Sequence, residues 1–284
     1  MTDTPPAPAC DAIDEDTAWA AFVARDRSSD GRFVVAVKTT GIYCRPSCAA
    51  RRPRREHVRF LDSPQAARAE GFRACLRCLP DAVTRDRQAV AAAIALIEAA
   101  EAPPSLETLA AQVGYTPHHF HRLFKRATGV TPAAYARARR SARAAQALAA
   151  EPSITAALYE AGYAAPSRFY ADSDQRLGMA PGQWRRGGEG VSVGWTIAPS
   201  PMGPLLVATT DRGIARIAFE EDEQALVRAL PAADIRSAAS TTCDRITRIV
   251  VATDIPDPLL AEPARRTAFI EAVSRALLAA HSLI

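Results

Sequence analysis

Four of the six cysteines in this 284-residue chain fall into two close pairs, Cys44-x3-Cys48 and Cys75-x2-Cys78, with 26 residues between them. No other feature restricts the N-terminal third as strongly. Each short loop can turn two thiolates towards one point, and two such loops close a tetrahedral shell around one zinc ion. Thiolate-only ligation selects zinc or an iron–sulfur cluster over harder metals. A closed four-sulfur site commonly replaces the core that a small domain cannot build, so the spacing by itself leaves an inert and a reactive site both open. Cys10 and Cys243 stand alone. The N-terminus lacks a basic start followed by an apolar run, so no secretory signal is expected. No apolar stretch of about 18 residues predicts a membrane span. The expectation is a cytoplasmic chain, in which clustered cysteines serve metal or redox chemistry rather than disulfides.

Net charge is only +4, but its distribution is uneven. Six arginines lie between positions 45 and 59 (Arg45, Arg51, Arg52, Arg54, Arg55, Arg59) against the single acid Glu56. Arg73 and Arg77 flank the second cysteine pair. Arginine rather than lysine suits bidentate phosphate contacts, although a run of charge also serves as a solvated face.

Residues 1–16 read as a loose end rich in Pro, Ala and Asp. A strand is predicted over 32–40 and a helix over 63–72, with Ser63 as its cap and Pro64 at its first position. Residues 86–190 are strongly helical. A helix is predicted over 87–101, a second from Ser105 to Val113 closed by Gly114, a third from Thr116-Pro117 to Gly129, and a fourth from Pro132. Ser153, Gly162, Ser167, Gly178 and Pro181 punctuate a second set that repeats the first. Gly114-Tyr115 matches Gly162-Tyr163 at an offset of 48, and Phe120, Gly129, Pro132 and Tyr135 match Phe169, Gly178, Pro181 and Trp184 at 49. This is an internal repeat of helix-turn-helix size. After the linker GGEG (187–190), β-branched alternation and a turn at Asp211-Arg212-Gly213 predict a hairpin, and residues 264–280 predict an amphipathic helix. The expected fold class is multidomain: a small α+β four-cysteine zinc domain (17–85), an all-α double helix-turn-helix domain (86–187) and a short α/β C-terminal remnant (191–284), the last expected to be a marginally stable small sheet with an exposed edge.

VKTTGIYCRPSC (37–48) and GFRACLRC (71–78) closely resemble the N-terminal domain of the Ada family of DNA-repair regulators. The resemblance implies that Cys44, Cys48, Cys75 and Cys78 hold one zinc ion. It also implies that Cys44 is the acceptor of a methyl group from a DNA methylphosphotriester, a sulfur expected to be exposed at the rim of the domain. Thr40, Arg45, Arg51, Arg73 and Arg77 are the positions implied to meet phosphate. Methylation would lower the formal charge of the site from −2 to −1 and so strengthen binding to the backbone. The thioether product is a poor leaving group, so each molecule is expected to act once.

LAAQVGYTPHHFHRLFKRATGVTPAAYARARR (109–140) resembles the AraC-type DNA-binding domain, which the Ada family carries in this position. Phe120, Leu123 and Phe124 should face the core. That leaves His118, His119, Arg122, Lys125 and Arg126 outward, Arg122 suited to guanine edges and Lys125 and Arg126 to phosphate. Ser167 and Arg168 hold the matching places in the second copy, where Asp172 should weaken phosphate binding. The C-terminal stretch resembles the start of the O6-methylguanine methyltransferase domain that ends Ada proteins. The family's Pro-Cys-His-Arg string is absent, and Cys243 lacks those neighbours, so a truncated remnant without guanine repair is expected. The implied partners are double-stranded DNA, at methylated backbone and at promoters, and RNA polymerase, in a cytoplasmic, nucleoid-associated setting. The competing function class is an AraC-type regulator with an inert structural zinc. One sensing a small molecule fits less well, since no sugar-binding barrel precedes the helices.

Overall fold

The β-branched run before the first cysteine pair forms a strand, but a shorter one than 32–40. β1 (Val34–Val37) pairs antiparallel with β2 (Ile42–Cys44) on one side and β3 (Val58–Leu61) on the other. It stops because the chain turns: Thr40 and Gly41 both donate their backbone N–H to the Val37 carbonyl, at 3.2 and 3.0 Å. Gly41 has φ +64°, which a side chain would resist. β4 (Arg73–Ala74) joins parallel to β2, giving the order β3-β1-β2-β4. The chain is described here by a computed structural model, which covers residues 13–151, 153–163, 169–170 and 176–281.

Both faces of β1 are covered, so all four of its residues are buried. Helix α1 (Glu15–Ala24) lays Ala18 and Phe22 against Phe33, Val35 and Val58. Helix α2 (Pro64–Ala69) brings Ala67 to Val34, Ala36 and Tyr43 on the other side. Ser63 caps α2 by accepting the Ala66 N–H at 3.1 Å. The helix ends before 72 because Gly71, at φ +83°, turns the chain back and Phe72 donates to the Ala67 carbonyl at 3.0 Å.

The chain divides into two compact units, Met1–Gln88 and Ala89–Ile284. The boundary expected between 85 and 86 falls inside helix α3 (Pro80–Ala99), which starts seven residues before position 87. Three helices follow, α4 (Leu106–Gln112), α5 (Pro117–Thr128) and α6 (Pro132–Ala150), capped by the side chains of Ser105, Thr116 and Thr131. Phe120, Leu123 and Phe124 are buried with Ile97, Leu109 and Tyr135, as their helical spacing requires. The repeat is visible in the backbone. Tyr115 donates to the Ala110 carbonyl at 2.9 Å, and Tyr163 donates to Leu158 at 3.1 Å, after α7 (Ile154–Glu160). Phe169 is buried in the place matching Phe120. Ser167, Arg168 and Asp172 lie outside the described residues.

The C-terminal segment forms the expected α/β region with a sheet, and it packs more widely than a free-standing sheet would. Strands β5 (Ser192–Ala198), β6 (Leu205–Thr209), β7 (Ile214–Phe219) and β8 (Asp234–Ser237) form a sheet in the order β7-β6-β5-β8. After the short helix α8 (Pro181–Arg185), helices α9 (Glu223–Ala229), α10 (Ser240–Val251) and α11 (Glu262–His281) complete it. Alternation along β6 explains the packing. Leu206 and Ala208 meet Leu158, Tyr163, Phe169 and Trp184 of the second helical set, whereas Leu205 and Val207 meet Ile246, Val250, Phe269 and Val273 of α10 and α11. Helix α11 also contributes Ala264 and Ala268 to the core around Phe120. The segment is therefore no marginal sheet, because it shares two cores with the helices. The GGEG linker is likewise pinned: Ala232 donates to the Gly187 carbonyl at 2.8 Å and Asp234 to Val191 at 2.9 Å.

An ion pair reinforces this union. Arg176 Nη1 and Nη2 donate to the two carboxylate oxygens of Glu271 at 2.8 and 3.0 Å, with Glu271 only 1% exposed. Removing one partner strands a buried charge, which typically costs about 3–5 kcal/mol. Glu271→Ala should lower the unfolding free energy of the second unit by that order in a urea titration. A loss below about 1 kcal/mol would mean that the pair is solvent-screened.

Candidate metal centre and nucleic-acid interface

Parallel pairing of β2 with β4 brings the two cysteine loops together. Arg73 donates to the Gly41 carbonyl at 2.8 Å and Cys75 to Tyr43 at 2.9 Å, which sets Cys44, the last residue of β2, beside Cys75, the first after β4. Each loop then turns its second cysteine back. Cys48 donates to the Arg45 carbonyl at 3.1 Å and Leu79 to the Cys75 carbonyl at 3.0 Å, with Leu79 at φ +47°. All four sulfurs lie within 4.8 Å of one another. Thiolates about 2.3 Å from a tetrahedral zinc stand about 3.8 Å apart, so the donor set and its size fit one zinc ion.

The electrostatics demand a cation of that kind. Cys44 is pushed above the ordinary thiol range, first by its hydrogen bond to Cys78 and then by burial and the charge of its neighbours. Burial also raises Cys48, against the pull of the Ala50 backbone N–H. Cys78 is held down to about 5, first by the Cys44 thiol and further by the Arg45 backbone N–H, with burial opposing. Four such thiolates coexist only around a positive ion. The acceptor expected at an exposed rim is itself buried. Cys44 is 8% exposed, more open than Cys48 at 3%, with Ile42 and Ala50 packed against the cluster.

Two supports went unread in the sequence. Asp30, in an Asp-Gly turn of ordinary surface appearance, is 6% exposed and anchors the first loop. Its carboxylate accepts the Ser47 backbone N–H at 3.0 Å and the Ser47 hydroxyl at 2.6 Å, with Arg45 Nη1 at 3.5 Å. Tyr43, the residue before Cys44, is fully buried; its hydroxyl donates to Asp81 at 2.7 Å and accepts from Arg68 at 3.0 Å.

The basic stretch separates into two groups. Arg52 is bonded to the Val23 carbonyl, Arg55 to Asp16 beneath the Trp19 ring, and Arg59 to Glu70. Arg51, Arg73 and Arg77 are exposed and have no partner among the described residues, and Thr40 is exposed on the turn before β2. Arg45 lies between these cases, its side chain 36% exposed. On α5, His118, His119, Arg122, Lys125 and Arg126 all face solvent, with His119 stacked on Tyr115 at 5.2 Å.

Three stretches match described families: residues 17–81 the metal-binding domain of Ada, 109–187 a helix-turn-helix domain, and 193–243 the ribonuclease-like domain of 6-O-methylguanine DNA methyltransferase. The regulatory protein Ada of Salmonella typhimurium is 42% identical over 274 residues, 93% of this chain and 77% of that protein. The bifunctional transcriptional activator/DNA repair enzyme Ada of Escherichia coli is 39% identical over the same shares. A crystal structure of the methylated N-Ada/DNA complex is 46% identical and covers 44% of this chain and 97% of its own, at a TM-score of 0.30.

The purified chain should hold one zinc by elemental analysis. Cys48→Ser should lose most of it, and a strong chelator should melt the first unit while the helical far-ultraviolet signal of the second persists. A metal-free chain with an unchanged melting profile would refute the assignment.

Proposed function

This chain belongs to the Ada family, and from that membership we propose that it transfers the methyl group of a DNA methylphosphotriester to Cys44 and then activates transcription. The observation that carries the reading is the four-sulfur cluster at the end of β2, beside exposed arginines. When bound, zinc supplies the positive charge that keeps the cysteines ionised at neutral pH. The Cys44 sulfur attacks the methyl carbon as the carbon–oxygen bond breaks. The electron pair stays on oxygen and leaves a phosphodiester anion, so no proton moves. The product thioether does not release its methyl, so each molecule acts once.

Hydrogen bonding sets Cys44 apart from Cys48 and Cys78. The Ala50 and Arg45 backbone N–H groups point at Cys48 and Cys78, and a sulfur stabilised in this way is a weaker nucleophile. The largest influences on Cys44 are instead its sulfur neighbours and burial. Arg51, Arg73, Arg77 and Thr40 bind the flanking phosphates, and Arg45 reaches the one that is repaired. In the second unit Arg122 reads base edges, with His118, His119, Lys125 and Arg126 beside it and Ser167 and Arg168 in the second copy. We read three functional segments, 17–85, 86–187 and 191–284, a division that the three family matches support. RNA polymerase is the partner that activation requires, and DNA at the nucleoid is the place of work. No described helix is long and apolar enough to cross a membrane.

The C-terminal segment scaffolds the helices. Cys243, the one cysteine between residues 191 and 284, donates its thiol hydrogen to the Ala238 carbonyl at 3.4 Å inside a helix start, so we assign that thiol no methyl-acceptor role. The burial of Cys44 favours one rival, an inert structural zinc site in a DNA-binding regulator.

Incubation with a duplex carrying a methylphosphotriester separates the two. Peptide mass analysis should place one methyl on Cys44, and Cys44→Ser should accept none. The methylated protein should bind promoter DNA more tightly, with the gain shrinking as salt rises. An unmodified Cys44 peptide leaves only the inert site.

A further inference from the structure

Arg45 follows the acceptor directly, yet it is the one member of the candidate phosphate group that already faces an anion. Its Nη1 lies 3.5 Å from Asp30 Oδ2, longer than the roughly 2.7–2.9 Å of a tight charge-assisted bond. Its Nε is buried and has no partner among the described residues. Its guanidinium is thus tethered loosely at one corner and open to solvent at another. Asp30 cannot follow it outward, because the same carboxylate holds the Ser47 N–H and hydroxyl and is itself buried.

We propose that Asp30 is a specificity-determining residue: it neutralises Arg45 in the unmodified protein, so that this arginine adds little to binding of undamaged DNA. An ordinary phosphate must displace a fixed carboxylate to gain the contact. Asp30 thereby keeps the arginine beside the acceptor from adding to general affinity for the undamaged backbone. The inference rests on Cys44 as the acceptor and on Arg45 as a phosphate ligand.

Asp30→Asn tests it, since the amide is isosteric and can still accept the Ser47 N–H while it loses the charge that faces Arg45. The zinc-loaded, unmethylated full chain is titrated with an undamaged duplex across a range of salt. Asp30→Asn should bind about threefold to tenfold more tightly at low salt, with a salt slope steeper by about 0.9, the increment of one added phosphate contact. In an Arg45→Gln background the same substitution should change neither quantity. Equal affinity and slope for Asp30→Asn and the wild type would overturn the proposal. So would an increase that persists without Arg45, or a variant that fails to fold or to hold zinc, since Asp30 would then be a loop anchor only. Methyl transfer is followed in the same samples by mass, so failure of the Cys44 assignment is seen separately.

Discussion

Like charges crowded into a small volume repel, and the first unit is organised around that fact. Four sulfurs within 4.8 Å can all be anionic only if a cation sits among them. The local strand pairing serves this condition. A two-residue strand, β4, would contribute almost nothing as a sheet element, but its parallel register with β2 delivers Cys75 to Cys44. Cys44 is thus tied to regular structure. The remaining charge is shared unequally among the sulfurs, since backbone N–H groups lower that share at Cys48 and Cys78.

The second unit follows a different logic, in which apolar burial makes one body of two sequence segments. The helix-turn-helix repeat is too short for each copy to close its own core. The second copy buries Leu158, Tyr163, Phe169 and Trp184 against β5 and β6 rather than against a third helical set. Helix α11 reaches across to the first copy through Ala264 and Ala268, with Leu260 just before it in the same core. A region that resembles part of a repair domain therefore works here as packing for DNA-binding helices. This gives a physical reason for residues 191–284 to matter to the stability of the DNA-binding helices.

Much of this was legible beforehand. Cap residues and glycines marked the ends of α4, α5 and α6 because a side-chain cap or a positive φ is a local requirement. The faces of α5 were legible too, since 3.6-residue periodicity alone separates Phe120, Leu123 and Phe124 from Arg122 and Lys125. The basic stretch was legible only as a stretch. Arg52, Arg55 and Arg59 share their composition with Arg51, and only long-range contacts to Val23, Asp16 and Glu70 give them other work. Helices α9 and α10 were not read from the sequence, although Asp222 caps α9 by accepting the Ala225 N–H at 2.9 Å.

Residue type and spacing along the chain were enough to determine a four-thiolate zinc site, a repeated helical reader of DNA and the identity of the helix faces, because each depends on neighbours within a few positions. Tertiary structure alone decided that Cys44 lies sheltered at a strand end, that Asp30 stands against Arg45 from 15 residues away, and that the last 90 or so residues share cores with the helices. Those outcomes depend on which distant groups meet, and a carboxylate or an alanine carries no mark of its partner until the chain has closed.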